Sequence, residues 1–260
     1  MYLRIRVNPC NPWTTKSISN INHLHKRYGF DILSCHKTGE IRFTMQIDLN
    51  ERQVLLDAWH HLLTPYVPKP AAREKLFGSL AEQYSHPTRH YHDLRHIREM
   101  LAFLEPEHDA RRVPAAVQFA VWFHDVVYNT LKDDNETKSA EFAGKLLSRI
   151  GADEALIATV KSLILATHEH RPLLGSDDEA CFLDADLAIL AAPPERYRQY
   201  SKEIRQEYYW VPAFMYGRKR IAILEEFLQR ERIFLTPRMA GAPEQQAREN
   251  LRWEIESLEG

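Results

Sequence analysis

Metal-competent side chains stand where the buried faces of four expected helices should be apolar. In the helix expected over 113–128, Val117, Val121 and His124 lie at i, i+4 and i+7, so His124 continues the apolar face and Asp125 follows it. The stripe of helix 93–105 runs His92, His96, Met100, Phe103, and that of helix 153–168 runs Leu156, Val160, Ile164, His168. Helix 179–191 places Asp186 among Phe182, Ile189 and Leu190. A buried carboxylate or imidazolium costs several kcal/mol unless it is paired or bound to metal. A lone core histidine is ordinarily satisfied by a backbone carbonyl, but four such residues, all His or Asp, are explained together by one shared cation. Imidazole nitrogen and carboxylate oxygen suit Mn, Fe, Co, Ni or Zn, as one ion or two. The competing explanation is an internal His–Asp hydrogen-bond network without metal.

These helices belong to a longer series. Helical spacing is expected at 73–85, 93–105, 113–128, 135–150, 153–168, 179–191, 194–209, 212–231 and 242–258. The breaks fall at HPT, EPEHD, NTLKDD, Gly151, RPLLGSDD, Pro193-Pro194, VP and TPRMAGAP. Short connections between amphipathic helices indicate one compact helical domain. Residues 1–64 read differently. YLRIRV (2–7), YGFDILSC (28–35) and IRFTMQI (41–47) carry strand patterns, while 15–27 and 51–63 carry helical ones. The expectation is a small α+β unit in the order βαββα. The segment 65–72, with Pro65, Pro68 and Pro70, reads as a linker to an all-helical domain over 73–260.

Composition excludes several classes. A formal charge of -2 gives no basic field for nucleic acid or anionic membrane. Cys10, Cys35 and Cys181 are far apart and form no CxxC pair, which argues against a zinc knuckle or a secreted disulfide framework. The start MYLRIRVNPCNPW is not a signal peptide, and no apolar run approaches the roughly 20 residues of a membrane span. A cytoplasmic location is the expectation. Eight of the 13 histidines, His86, His90, His92, His96, His108, His124, His168 and His170, fall within residues 86–170.

His96-Ile97-Arg98-Glu99-Met100, then FAVWFHDVVYNT (119–130), then LDADLAIL (183–190) resemble the H…HD…D signature of the HD superfamily. A closer likeness is to a group of uncharacterised, predicted HD phosphohydrolases. It is carried by Arg89–Ile97 (RHYHDLRHI), WFHDVVY (122–128), DNETKSA (134–140), Phe182–Leu190, IRQEY (204–208) and AREN (247–250), over about 180 residues. The resemblance implies a mainly α fold and a divalent metal held by His96, His124, Asp125 and Asp186, with Asp184 as the alternative for the last. It does not extend to residues 1–64. One departure is informative. The alarmone hydrolases of this superfamily carry HDVVEDT, whereas HDVVYNT puts Tyr128 and Asn129 at the acidic positions and brings Asp133, Asp134 and Glu136 later.

The expected activity is hydrolysis of a phosphate ester, a nucleotide or similar small molecule, by a metal-activated water. Asp125 or Glu136 would accept the proton. Arg89, Arg95, Arg205 and His92 would contact phosphate, with Glu207 and Tyr208 beside Arg205 forming either part of that patch or helix packing. His92 and His168 are further ligand candidates. His170, roughly 200° around a continuing helix from His168, could not face the same ion. Two other readings stand beside this one: a di-iron oxidase on the same scaffold, supported by His168 and Glu136, and a non-catalytic nucleotide sensor. A homo-oligomer is compatible with the sequence.

Overall fold

The computed structural model describes residues 5–6, 30–35, 40–45, 49–105 and 113–260, the first three segments by their backbone. The helix expected over 15–27 and residues 106–109 of the EPEHD break, His108 among them, lie outside these residues. The chain divides into two compact units, Met1–Asp57 and Ala58–Gly260. In the first, β1 (Ile5–Arg6), β2 (Phe30–Cys35) and β3 (Glu40–Met45) form an antiparallel sheet in the order β1-β3-β2. Ile5 pairs with Ile41 and Phe30 with Met45, and an irregularity falls between Ile32 and Cys35.

The described chain is otherwise helical: α1 (Leu49–Leu63), α2 (Pro70–Tyr84), α3 (Leu94–Leu104), α4 (Ala115–Phe123) and α5 (Asn135–Arg149) come first. They are followed by α6 (Glu154–Ala166), α7 (Asp177–Leu187), α8 (Pro194–Glu207), α9 (Ala213–Gln229) and α10 (Ala242–Glu259). Among the described residues no helix is long and apolar enough to cross a membrane. The caps follow from the sequence. Asp93, Asp153 and Ser176 each accept a backbone N–H of the first turn that follows them, which fixes where α3, α6 and α7 begin. Gly151, at φ 80, takes the left-handed position that ends α5 and turns the chain into α6.

The helical unit begins before the 65–72 segment. Trp59, fully buried, meets Trp122 and Phe123 edge to face, and its indole N–H donates to the Arg73 carbonyl. An indole of that size removed from water draws the last turns of α1 into the helical core. Pro70, expected in the linker, opens α2 at a first-turn position where its missing N–H costs nothing. A second part of the core joins Tyr197, Tyr200, Phe234 and Leu251 across α8, α10 and the loop between α9 and α10. Beneath it, Glu254 holds Arg220, Tyr197 and Ser201 in one buried polar network.

Among the expected helices that end early, two bear on the site. The helix expected over 113–128 stops at Phe123, and the one expected over 153–168 stops at Ala166. Arg89 supplies the reason for the first. Its guanidinium donates to the carbonyls of Asp125 and Val126 (2.8 and 3.1 Å), acceptors that a continuing helix would use, and also to that of His92 (2.9 Å).

Candidate metal centre

Four side chains converge where α3, α4 and α7 meet. His96 projects from the first turn of α3, His124 closes α4, Asp125 follows it, and Asp186 lies in the last turn of α7. The His96 and His124 Nε2 atoms are 3.2 Å apart. Asp186 Oδ1 lies 3.1 Å from His96 Nε2 and 3.7 Å from His124 Nε2, and Asp125 Oδ2 lies 3.1 Å from His124 Nε2. Both imidazoles are buried, and both carboxylates nearly so, at 16% and 12% side-chain exposure for Asp125 and Asp186. His96, His124 and Asp125 form a group whose ligand atoms all lie within 4.8 Å of one another and could hold a metal ion.

The supports around this group orient its donors. His124 Nδ1 lies 3.0 Å from the Val121 carbonyl, an acceptor that requires the proton on Nδ1 and turns Nε2 toward the carboxylates. Burial disfavours the imidazolium, yet Asp125 and Asp186 outweigh it and raise the His124 pKa to about 9. Burial likewise disfavours both carboxylates, but His124 and the neighbouring imidazoles hold Asp125 and Asp186 below the usual carboxylate range. The two carboxylates thus favour positive charge at this point. Two imidazole nitrogens and two carboxylates held this way are a donor set for a divalent transition metal.

Two residues complete the surroundings in ways the sequence pattern misses. Glu207, fully buried at the end of α8, accepts the successive N–H groups of His90, Tyr91 and His92 on Oε1 at 2.7, 2.8 and 3.0 Å. Its Oε2 bonds His92 Nδ1 at 2.6 Å and accepts the Tyr128 hydroxyl at 2.8 Å. Burial opposes ionisation, but the His92 imidazole and the amides of His92 and Tyr91 outweigh it and lower the Glu207 pKa to about 2. This carboxylate shapes the loop before α3 and turns His92 Nε2 to within 4.0 Å of Asp125 Oδ2. His92 thus stands on a loop, ahead of the Asp93 cap, and not on the α3 stripe.

His170 is the second. Its Nε2 sits 3.1 Å from Asp186 Oδ2, while His168, at 59% side-chain exposure, pairs with Glu136 at 3.3 Å. The expectation is reversed because α6 has ended: His170 adopts φ 48, and the 200° separation of a continuing helix does not apply. Glu179 fixes the connection that follows, accepting the N–H groups of Leu173, Leu174 and Gly175, each at 2.8 Å. The sequence pattern favours His168, which continues the apolar stripe, and gives no signal for His170. Glu207 was visible only as part of IRQEY.

The expected phosphate contacts are placed differently. Arg89, buried, spends its guanidinium on the three carbonyls named above and lies against the Tyr84 and Tyr128 rings. Arg95 bonds the Asp93 carboxylate and the His90 carbonyl, with Glu203 at 3.5 Å. Arg205 donates to the carbonyls of Tyr208 and Val211 beyond the end of α8 and stacks on Tyr216. All three hold main chain together, because carbonyls at helix ends and in tight loops need donors and arginine reaches several at once. Asp184, the alternative to Asp186, accepts the N–H groups of Leu235 and Thr236 and the Thr236 hydroxyl, so it anchors the loop after α9.

The chain matches no protein-family model, no curated protein and no solved structure. The functional argument rests on the centre itself.

Proposed function

We propose that this protein is a metal-dependent phosphohydrolase of the HD type, acting on a small phosphate ester such as a nucleotide. The observation that carries the reading is the convergence of His96 Nε2, His124 Nε2, Asp125 Oδ2 and Asp186 Oδ1 in one buried cluster. These four would hold Mn, Fe, Co, Ni or Zn. When bound, such an ion supplies Lewis acidity and lowers the pKa of a coordinated water toward neutrality.

The chain's own residues supply the rest. Asp125 would accept the proton of the attacking water, and His92 Nε2, 4.0 Å from its carboxylate, would carry it onward. Glu207 and Tyr128 keep His92 in register for that task, since Nδ1 is committed to Glu207. Glu136 is the alternative acceptor, held by His168 beside the start of α5. Arg89 acts as a positioning residue, because its bonds to the Asp125 and Val126 carbonyls hold the His-Asp pair at the helix end.

A second reading, an oxygen-activating dinuclear centre, is favoured by the two additional imidazoles, His92 and His170, that reach Asp125 and Asp186. Metal analysis of the purified protein, beside Asp125→Ala, tests both. About one ion per chain, lost in the variant, together with phosphatase activity toward a nucleotide panel, supports the hydrolase. About two iron ions with an oxygen-dependent spectrum supports the oxidase. No metal after reconstitution with any of the five would sink both and leave a hydrogen-bonded polar cluster or a sensor.

A further inference from the structure

An open surface cavity of about 610 Å³, sharing His170 with the surroundings of the metal centre, lies between the His170–Pro172 turn and the end of α9. It is lined by Arg171, Arg230 and Arg232 as well as His170, with Glu226 and Glu231 also on its wall. The volume falls in the range of about 300–1,000 Å³ typical of small-molecule sites. His170 belongs to both places, since the same side chain that lines the cavity puts Nε2 3.1 Å from Asp186 Oδ2.

The three arginines differ in how they are engaged. Arg230 is fixed: it donates to the carbonyls of His170 and Glu169, at 3.0 and 2.8 Å, which ties α9 to the turn carrying His170. Its Nε is buried and has no hydrogen-bond partner. Arg171 meets Glu169 and Glu226 only at 4.0 and 3.9 Å, distances of loose ion pairs between exposed groups, which contribute little and exchange readily. Arg232, exposed, gives one donor to the Thr236 carbonyl at 2.9 Å. Arg230 also pairs with Glu226 at 3.7 Å, and burial and the like charge of Arg171 lower its pKa against the opposing pull of Glu226 and Glu169. Planar guanidiniums with donors to spare are suited to bidentate capture of phosphate oxygens.

We propose that this cavity binds the phosphate groups of the substrate that lie away from the cleaved bond, presenting the scissile phosphate past His170 to the centre. The substrate class it selects is a small molecule with two or more phosphates. This inference rests on the phosphohydrolase reading for its substrate, but the anion site can be tested without turnover. Inorganic pyrophosphate titrated calorimetrically into the full chain, with EDTA present throughout, is the direct experiment. Saturable binding is expected, weakened at least tenfold by Arg171→Ala/Arg232→Ala and changed less than about twofold by Asp125→Ala. Both arginines are exposed, so the double variant should unfold thermally like the wild type, which separates lost binding from lost fold. No binding to wild type, equal binding to the double variant, or binding that depends on Asp125 instead would each overturn the proposal. Pyrophosphate binding by a chain that takes up no metal keeps this site and removes the hydrolase. Hydrolysis that is indifferent to the arginine pair does the reverse.

Discussion

Replacing Glu207 should damage the fold and the metal centre by separable amounts. Glu207→Ala removes the acceptor of three successive amides and leaves them, with Tyr91 fully buried, facing a void. Removing one partner of such a buried ionic cluster costs about 3–5 kcal/mol. The lowered pKa gives an independent figure: a fall from 4.5 in the unfolded chain to about 2 in the folded one corresponds to on the order of 3 kcal/mol. The two agree. For a domain of this size that is a fall in Tm of roughly 10 °C. Because the folded pKa is depressed, this stabilisation is fully present above pH 4.5 and is lost as the pH falls toward 2. Glu207→Gln is milder, since an amide oxygen can still accept the three N–H groups. Its NH2, however, faces His92 Nδ1 and forces the proton onto Nε2, pointing a donor toward Asp125. Metal affinity or turnover should then drop about 10- to 100-fold, with most of the stability retained. Urea unfolding of both variants between pH 2 and 7, with metal titration of the glutamine variant at pH 7, supplies the numbers. A Glu207→Ala variant within about 0.5 kcal/mol of wild type at pH 7, or a wild type and variant that keep a constant difference down to pH 2, would refute the reasoning.

Four further outcomes are expected. Asp186→Asn should abolish metal binding, whereas Asp184→Asn should cost about 1–3 kcal/mol of stability through the Leu235–Thr236 loop and leave metal stoichiometry intact; equal metal loss in both would show that the two aspartates were assigned wrongly. His124, at about 9 in the metal-free chain, must lose its proton to bind an ion, so apparent affinity should rise about tenfold per pH unit between 7 and 9 with one proton released per ion; a flat profile would contradict it. By the same sign, the charged His124 stabilises the metal-free chain fully below pH 6.5, and that contribution is lost as the pH rises through about 9, which pH-dependent thermal melts of the EDTA-treated protein will register. Trp59→Ala should cost about 3–5 kcal/mol in urea unfolding, because Trp59 is fully buried against Trp122 and Phe123; a loss below 1 kcal/mol would mean that the end of α1 does not belong to the helical core.

The sequence by itself determined the helices and the residues at the centre of the site. A 3.6-residue apolar period survives in any helical packing, so polar interruptions at His96, His124 and Asp186 could be read as inward-facing before any contact was known. The starts of α3 and α6 fall within one residue of the expected 93 and 153, whereas α7, capped by Ser176, begins two residues before the expected 179, inside the segment read as a break. Periodicity gives no information once a helix ends. His168 was read as a continuation of the α6 stripe, but the chain leaves helical geometry at Ala166, and His170 reaches Asp186 from a left-handed residue. For the arginines beside the motifs a sequence reports the charge and not the groups that the charge already holds. Only the tertiary structure shows that Arg89, Arg95 and Arg205 satisfy carbonyls. The pairing of Glu207 with His92 joins residues 115 apart in the chain, and the cavity of Arg171, Arg230 and Arg232 joins a turn to the end of a helix about 60 residues later. Local physics decides which residues face inward, and which of them meet is decided by packing that no local rule contains.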